Sequence, residues 1–264
     1  MNYILDFIES VGRRLIIYWN GVKEFCSFAA SVVGSLRSIR YLRFRSVYDI
    51  VINQMKFTGI DAIPFLVTIA IVLGGTVIIQ ALSSLPEFGI ENFLGNLMVI
   101  IVAREMGPLI TALIVVARSG SAMVSELATQ KQNGEIRAFV IMGIDIRLYI
   151  VFPRIIASIL SLFSLIIIFD IAAFVGGYLI SLSAVYIPLG SFFEALLDAL
   201  TVSDLLAMLI KSVLYGIFVP LVCCYYGLKP RFPYEVPIYV SKAVIRTLFS
   251  LIIVNAAISV LFYL

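Results

Sequence analysis

Five long apolar stretches, nearly free of charged residues, dominate this sequence. Residues 62–82 contain no charged side chain, and a helix of that length spans about 31 Å, close to the ~30 Å hydrocarbon core of a bilayer. The other stretches cover residues 93–118, 149–182, 205–227 and 243–263. Their length indicates helices, because the strands of membrane barrels are only about ten residues long and alternate in polarity. The sequence therefore predicts an all-α integral membrane protein with five transmembrane helices.

Composition supports the same class. Hydrophobic residues make up 62% of the 264 residues and charged residues 13%, whereas a soluble domain has about 45–50% and about 25%. A soluble fold could not bury that much apolar surface. Disorder is excluded because the apolar area is large enough to offset the chain entropy.

The connecting segments alternate in charge. Residues 1–60 carry eight Lys and Arg, and residues 125–148 and 228–242 carry three each. The segments 83–92 and 183–204 carry none, only Asp and Glu. Because cytoplasmic segments are enriched in Lys and Arg, the pattern predicts a cytoplasmic N-terminus and a C-terminus on the opposite side of the membrane.

The N-terminal region is predicted to lie on the membrane. Residues 3–26 place apolar and aromatic side chains on one side of a helix and charged ones on the other, which is typical of an interfacial amphipathic helix. Packing against a soluble partner is the alternative. We divide the chain into an interfacial helix with a basic cytoplasmic segment, residues 1–58, and a five-span transmembrane domain, residues 59–264.

The segment of about residues 126–146 lies between the second and third spans. Apolar residues at helical spacing predict a short helix beneath the membrane, separated from the preceding span at Gly134. Such a helix could dock on a soluble partner or simply form a turn that returns the chain to the membrane. The residues alone favour neither interpretation.

Arg104 and Glu105 interrupt the second span. Neighbours on a helix point about 100° apart, so these two side chains cannot neutralise each other, and each needs another helix, water or a ligand. Gly107-Pro108 is expected to open the helix there. The pair could line a substrate cavity, or it could form structural ion pairs with another span. Apolar lining beside it is expected from Leu82, Leu85 and Phe88.

Two further charged residues lie within spans. We expect Asp170, deep in the third span, to make structural hydrogen bonds rather than to contact substrate. Lys211 is expected to extend its ammonium group to the membrane surface.

Familiar catalytic and metal sites are missing from the sequence. It has no histidine, which excludes Ser-His catalysis and His-ligated metals. Its three cysteines form no C-x-x-C, and no Gly-Lys pair exists to form a phosphate-binding loop. We therefore predict no catalytic residue, no metal site and no cofactor in this chain, and a net charge of +3 gives no indication of nucleic-acid binding.

One segment resembles a known family. Residues 104–126 read REMGPLITALIVVARSGSAMVSE, which is similar to the signature of the MlaE (YrbE-type) permeases of lipid-transporting ABC systems. The matching residues are Arg104, Glu105, Gly107, Pro108, Thr111, Ala112, Leu113, Arg118, Gly120, Ser121, Ala122, Glu126, Leu127 and Thr129. Shorter matches continue in order over about residues 60–260. The sequence departs from the family pattern at Gly134, Ile146 and Asn255, where Glu, Pro and Asp are usual, and at Glu135, where Gln is usual.

The resemblance implies a homodimeric permease for phospholipid, moving it between the inner and outer membranes. It implies a cytoplasmic ABC ATPase that binds ATP and magnesium, a periplasmic MCE-domain partner that can form a hexameric ring, and in some systems a STAS-domain protein. It also implies an outward-opening lipid cavity at the dimer centre near Arg104 and Glu105. The segment that would dock the ATPase contains Glu126, Glu135, Arg137, Phe139, Met142 and Asp145.

Two other functions stay open. An intramembrane enzyme could modify lipid, and a secondary transporter could work without an ATPase. Co-purification separates them, because only the ABC permease requires an ATPase partner.

Overall fold

The computed structural model describes residues 2–35, 44–84, 90–184 and 188–263, and every regular element in these ranges is helical. The all-α prediction is confirmed. The α-helices are α1 (Asn2–Ser35), α2 (Phe44–Thr58), α3 (Ile63–Ser84), α4 (Ile90–Leu97), α5 (Gly107–Val115), α6 (Ser121–Gln132), α7 (Glu135–Ile141), α8 (Phe152–Ala184), α9 (Leu189–Ala199), α10 (Val202–Gly227) and α11 (Val236–Tyr263).

Five helical segments of the described chain are long and apolar enough to cross a membrane, as predicted. Spans 1 to 5 are Tyr48–Ser83, Leu94–Gln132, Arg147–Ser183, Val202–Gly227 and Pro233–Tyr263. Span 2 extends well past the apolar stretch that ends at residue 118, because α6 continues the helix with polar residues. The chain is therefore a multi-pass membrane protein with helices that project beyond the apolar layer.

Span 2 is built from both α- and π-helix. A π-helical stretch, Met98–Met106, precedes α5, and a second one, Val116–Gly120, follows it. A third, Arg147–Val151, opens span 3. Such wider turns are rare and commonly occur at functional sites.

Spans 1 and 3 pack backbone to backbone. A Cβ atom at Gly74 would overlap the backbone of Ala173, and one at Gly176 would overlap the backbone of Ile71. Small residues allow membrane helices to approach this closely, which replaces the hydrophobic driving force that is absent in lipid. These two glycines therefore hold α3 against α8.

Helix α10 lies at the centre of the bundle, packed against both α8 and α11. Tyr215, Val219 and Cys223 on α10 are buried in the main apolar core with Phe169 of α8. Apolar side chains on the outer faces, such as Ile253 and Leu261, are exposed. Exposed apolar faces of this kind suit contact with lipid chains.

Helix α1 continues nine residues beyond the predicted end at residue 26. Its second half packs on α10, where the rings of Phe25 and Phe28 lie 5.4 and 5.6 Å from that of Tyr225. The Lys229 ammonium, 3.0 Å from the carboxylate, lowers the pKa of Glu24 by hydrogen bonding and charge. Side chains before residue 19 lie outside the described part, so the amphipathic pattern there stays a prediction.

Candidate functional site

The second span does not open at Gly107-Pro108, contrary to our expectation. The preceding π-helix changes the hydrogen-bond pattern, and the Gly107 N–H donates to the carbonyl oxygen of Val102 five residues earlier. Pro108 then lies in the first turn of α5, and Met106 and Gly107 before it keep helical backbone angles. The helix therefore passes the proline without a break.

Glu105 is held by three residues from two other spans. Its Oε2 accepts a hydrogen bond from Asn255 Nδ2 at 2.7 Å, and its Oε1 accepts one from Ser259 Oγ at 2.5 Å. Lys211 Nζ lies 3.4 Å from the same Oε1. Tyr215 extends the network by donating to Asn255 Oδ1 at 2.7 Å. We call these five residues the Glu105 cluster.

Lys211 is buried rather than extended to the surface, so that expectation was wrong. Its side chain is 1% exposed, and Nζ donates to the backbone carbonyl of Arg104 at 2.6 Å and to Ser259 Oγ at 3.0 Å. A buried ammonium is tolerated only where a counter-charge and hydrogen-bond acceptors surround it. The Glu105 cluster supplies both.

Arg104 turns to a different partner. Its guanidinium makes a two-point contact with Asp204 at 2.8 and 3.1 Å, and it lies 4.7 Å from the ring centre of Tyr263. Asp204 also accepts hydrogen bonds from the Thr201 backbone and hydroxyl, which caps α10, and from the Tyr263 hydroxyl. The sequence argument that neighbouring charges must find separate partners is confirmed.

The charges of the two pairs balance, yet Glu105 keeps an open side. Its side chain is 38% exposed, while Lys211 and Asp204 are almost fully enclosed. The arrangement therefore presents one partly accessible carboxylate at a junction of spans 2, 4 and 5. Such a group could meet a polar headgroup without leaving a buried charge unpaired.

The predicted apolar lining is only partly described. Leu82, at the end of α3, is half-buried and packs against the main core. Leu85 and Phe88 lie outside the described residues, so their lining role stays a prediction.

The hydrogen bond expected of Asp170 is absent among the described residues. Its Oδ1 is buried without a partner and lies so close to Gly107 that a Cβ there would overlap it. Asp170 thus packs on the turn that follows the Glu105 cluster in span 2. A carboxyl enclosed in this way is costly to charge within a membrane.

The segment after span 2 turns at Gly134, as predicted. Gly134 has φ +81° and precedes α7, and Ile136 anchors this helix in a small core with Leu127. The predicted docking residues Glu135 and Arg137 are exposed on α7. Whether they bind a partner stays a prediction.

The remaining predicted docking residues divide into two groups. Glu126, Phe139 and Asp145 contact other parts of the same chain: Arg154 at 2.8 Å, the Tyr149 ring at 5.4 Å and Ser35 Oγ at 3.0 Å, respectively. Met142 is exposed together with its neighbours Val140 and Ile141. The accessible residues of this segment therefore include its apolar end as well as the charged Glu135 and Arg137.

Three residues that contact Arg104 or Glu105 were missed by sequence reasoning. Asp204 was assigned only to an acidic loop, and Ser259 and Tyr263 lie in an apolar stretch without distinguishing spacing. Asp204 carried one usable signal, because it follows Thr201 by three residues and so fits a capping box.

These features define the class of the protein: a five-span membrane protein with a paired charge network buried between its helices. Residues 51–261 match the MlaE permease family, and the chain belongs to that family.

Individual relatives agree with this assignment. A probable ABC transporter permease of Rickettsia felis is 27% identical, with 85% of each chain aligned. The intermembrane phospholipid transport system permease protein MlaE of Haemophilus influenzae is 26% identical over 85% of this chain and 84% of its own. The chloroplast protein trigalactosyldiacylglycerol 1 of Arabidopsis thaliana is 24% identical over 72% of this chain and 54% of its own.

Proposed function

We propose that this chain is the permease subunit of an ABC transporter that moves phospholipid between the inner and outer membranes. The observation that carries the proposal is the match to the MlaE permease family, together with a relative named for intermembrane phospholipid transport. The chain acts with a cytoplasmic ATPase, which binds ATP and magnesium, and with a periplasmic MCE-domain protein. It carries out no chemistry of its own.

The Glu105 cluster supports a lipid path beside span 2. A phospholipid needs an apolar chamber with a few polar groups near its headgroup, and Glu105 is a partly exposed carboxylate in an otherwise apolar bundle. A homodimer with this side at its centre would place two such carboxylates around one cavity. Leu82, Leu85 and Phe88 would contribute apolar surface.

The apolar end of α7 supports an ATPase contact. Val140, Ile141 and Met142 are exposed side by side, and Gly143, with φ +73°, ends the segment. Adjacent exposed apolar side chains next to charged Glu135 and Arg137 are typical of a protein interface. A STAS-domain protein is a further candidate partner at this side.

The charge alternation supports the proposed location. With the basic segments inside, α7 and the N-terminus face the cytoplasm, and the MCE partner meets the opposite side, where the loops carry no Lys or Arg. The family assignment fits a bacterial inner membrane.

The test begins with the tagged chain purified from its native membranes in mild detergent. We expect an ABC ATPase and an MCE-domain protein to co-purify. The complex is then placed in proteoliposomes with a fluorescent phospholipid, and transfer to acceptor vesicles is followed with and without ATP. A complex whose ATPase has lost its catalytic residue is the control.

Two results would contradict the transport proposal, and a third would contradict the role of Glu105. Turnover of lipid by the lone chain would indicate an intramembrane enzyme. Transfer driven by an ion gradient without ATP would indicate a secondary transporter. Glu105 would be removed from the lipid path if ATP hydrolysis left lipid crosslinking at residue 105 unchanged and Glu105→Ala transferred lipid normally. Leu261, which is 80% exposed, is the control position for crosslinking to bulk lipid.

A further inference from the structure

A groove of about 480 Å³ runs along the outside of the bundle, between the second half of α1 and the middle of α11. Its walls are largely apolar, with Phe25 of α1 on one side, Phe249 and Ile253 of α11 on the other, and Val222 of α10 at the floor. Arg246 is the single charged residue among the described residues that line it. The groove is separate from the Glu105 cluster, which faces another part of α11.

Arg246 is placed at the edge of the apolar layer. The seventeen residues that follow it in α11 carry no charge and span about 26 Å, close to the ~30 Å hydrocarbon core. The guanidinium therefore lies near the depth of lipid phosphates. This is the side of the membrane that carries the basic 228–242 segment.

The protein orients Arg246 into the groove. Its guanidinium lies 5.6 Å from the ring centre of Tyr226, and a Cβ at Gly21 would lie 4.0 Å from Nη1. The guanidinium therefore lies within van der Waals reach of α1 at Gly21. An arginine has five N–H donors and can contact both the protein and a phosphate.

The charges around the groove favour an anion. Lys242 lies four residues before Arg246 and so on the same face of α11. The nearest described carboxylate on α1, Glu24, is paired with Lys229 at 3.0 Å. A negatively charged group at Arg246 therefore has a second cation one helical turn away, and the described side chains of α1 and α11 bring no uncompensated carboxylate to it.

We propose that this groove binds one anionic phospholipid, with its phosphate at Arg246 and an acyl chain along Phe249 and Ile253. A single turn of an α-helix, about 10 Å across, would already fill this volume. The groove is therefore too small for a protein helix and suits a flexible acyl chain. Bound in this way, the lipid bridges α1 and α11 and fixes the N-terminal helix to the spans. The site is distinct from the transport path and does not depend on the proposed transport function.

Native mass spectrometry of the full-length permease in detergent tests the proposal. Phosphatidylglycerol and phosphatidylcholine with the same acyl chains are titrated separately. We expect phosphatidylglycerol to bind more tightly, and Arg246→Gln to weaken its binding about tenfold through loss of a charge-assisted contact. Arg246→Lys should retain part of the affinity. Lys56→Gln, in a different groove next to α8, is the matched control.

A second pair of variants tests the acyl chain. Ile253→Trp fills the groove and should reduce the binding of both lipids, whereas Ile252→Trp, on another face of α11, should not. Thermal unfolding of each variant identifies those that have lost their fold. Equal affinity for the two lipids, or unchanged phosphatidylglycerol binding by Arg246→Gln, would overturn the proposal. Loss of a protein partner with Ile253→Trp, without a change in lipid binding, would assign the groove to that partner and also overturn it.

Discussion

Lys211 donates a hydrogen bond to the backbone carbonyl of Arg104 at 2.6 Å, while the Arg104 side chain turns away to Asp204. One lysine thus secures the backbone of span 2 at the position where two neighbouring charges diverge. The π-helical stretch around this position leaves main-chain groups that a straight α-helix would have paired within itself. The buried ammonium is therefore part of the structure of span 2 as well as the counter-charge of Glu105.

Replacing Lys211 by Met should destabilise the permease by about 3–5 kcal/mol, because it leaves Glu105 without its cation and the Arg104 carbonyl without a donor. Thermal unfolding in detergent measures the loss. Adding Glu105→Gln to Lys211→Met should recover part of it, since the unpaired charge is then removed. A double variant no more stable than Lys211→Met would show that the ion pair contributes little.

Glu126 and the apolar end of α7 should behave differently when mutated. Arg154 is 6% exposed and pairs with Glu126, so Glu126→Lys should lower thermal stability by bringing together two cations, one of them buried.

Ile141→Ser with Met142→Ser should instead reduce the amount of co-purified ATPase while the unfolding temperature stays unchanged. Arg137→Glu tests the predicted docking charge on the same helix. ATPase recovery equal to that of the unmodified chain in all of these variants would contradict the docking assignment.

Gly176→Ala should destabilise the bundle by about 1–3 kcal/mol, since the added methyl group overlaps the backbone of Ile71 and forces two helices apart. Gly190→Ala is the matched control. Gly190 is also helical, but a Cβ there has no neighbour within 4 Å. Equal unfolding temperatures for the two variants would show that spans 1 and 3 can separate without cost.

Reporter fusions test the orientation. An alkaline phosphatase fused after residue 90, or at the end of the chain, should be active, because both points follow an odd number of spans from a cytoplasmic N-terminus. A fusion after Gly134 should be inactive. Activity at Gly134 together with inactivity at the C-terminus would invert the proposed topology.

The number of spans could be predicted because each apolar stretch is about as long as the bilayer is thick and carries few charged residues. The separate partners of Arg104 and Glu105 also followed from helix geometry. Their identities did not, because Asp204 and Lys211 come about 100 residues later and nothing local relates them to span 2. Lys211 was misassigned because a lysine near the end of a single helix can extend its ammonium group to water. Only the packed bundle shows that Glu105 and Ser259 bind this ammonium group instead.

The glycine contact between α3 and α8 also bears on how the molecule can move. Where two backbones touch directly, there are no long side chains that could change rotamer to let the helices slide. Spans 1 and 3 therefore behave as a single rigid body. We therefore expect rearrangement of the helices at the junction of spans 2, 4 and 5, where Arg104, Glu105 and Lys211 can exchange partners while every helix stays intact.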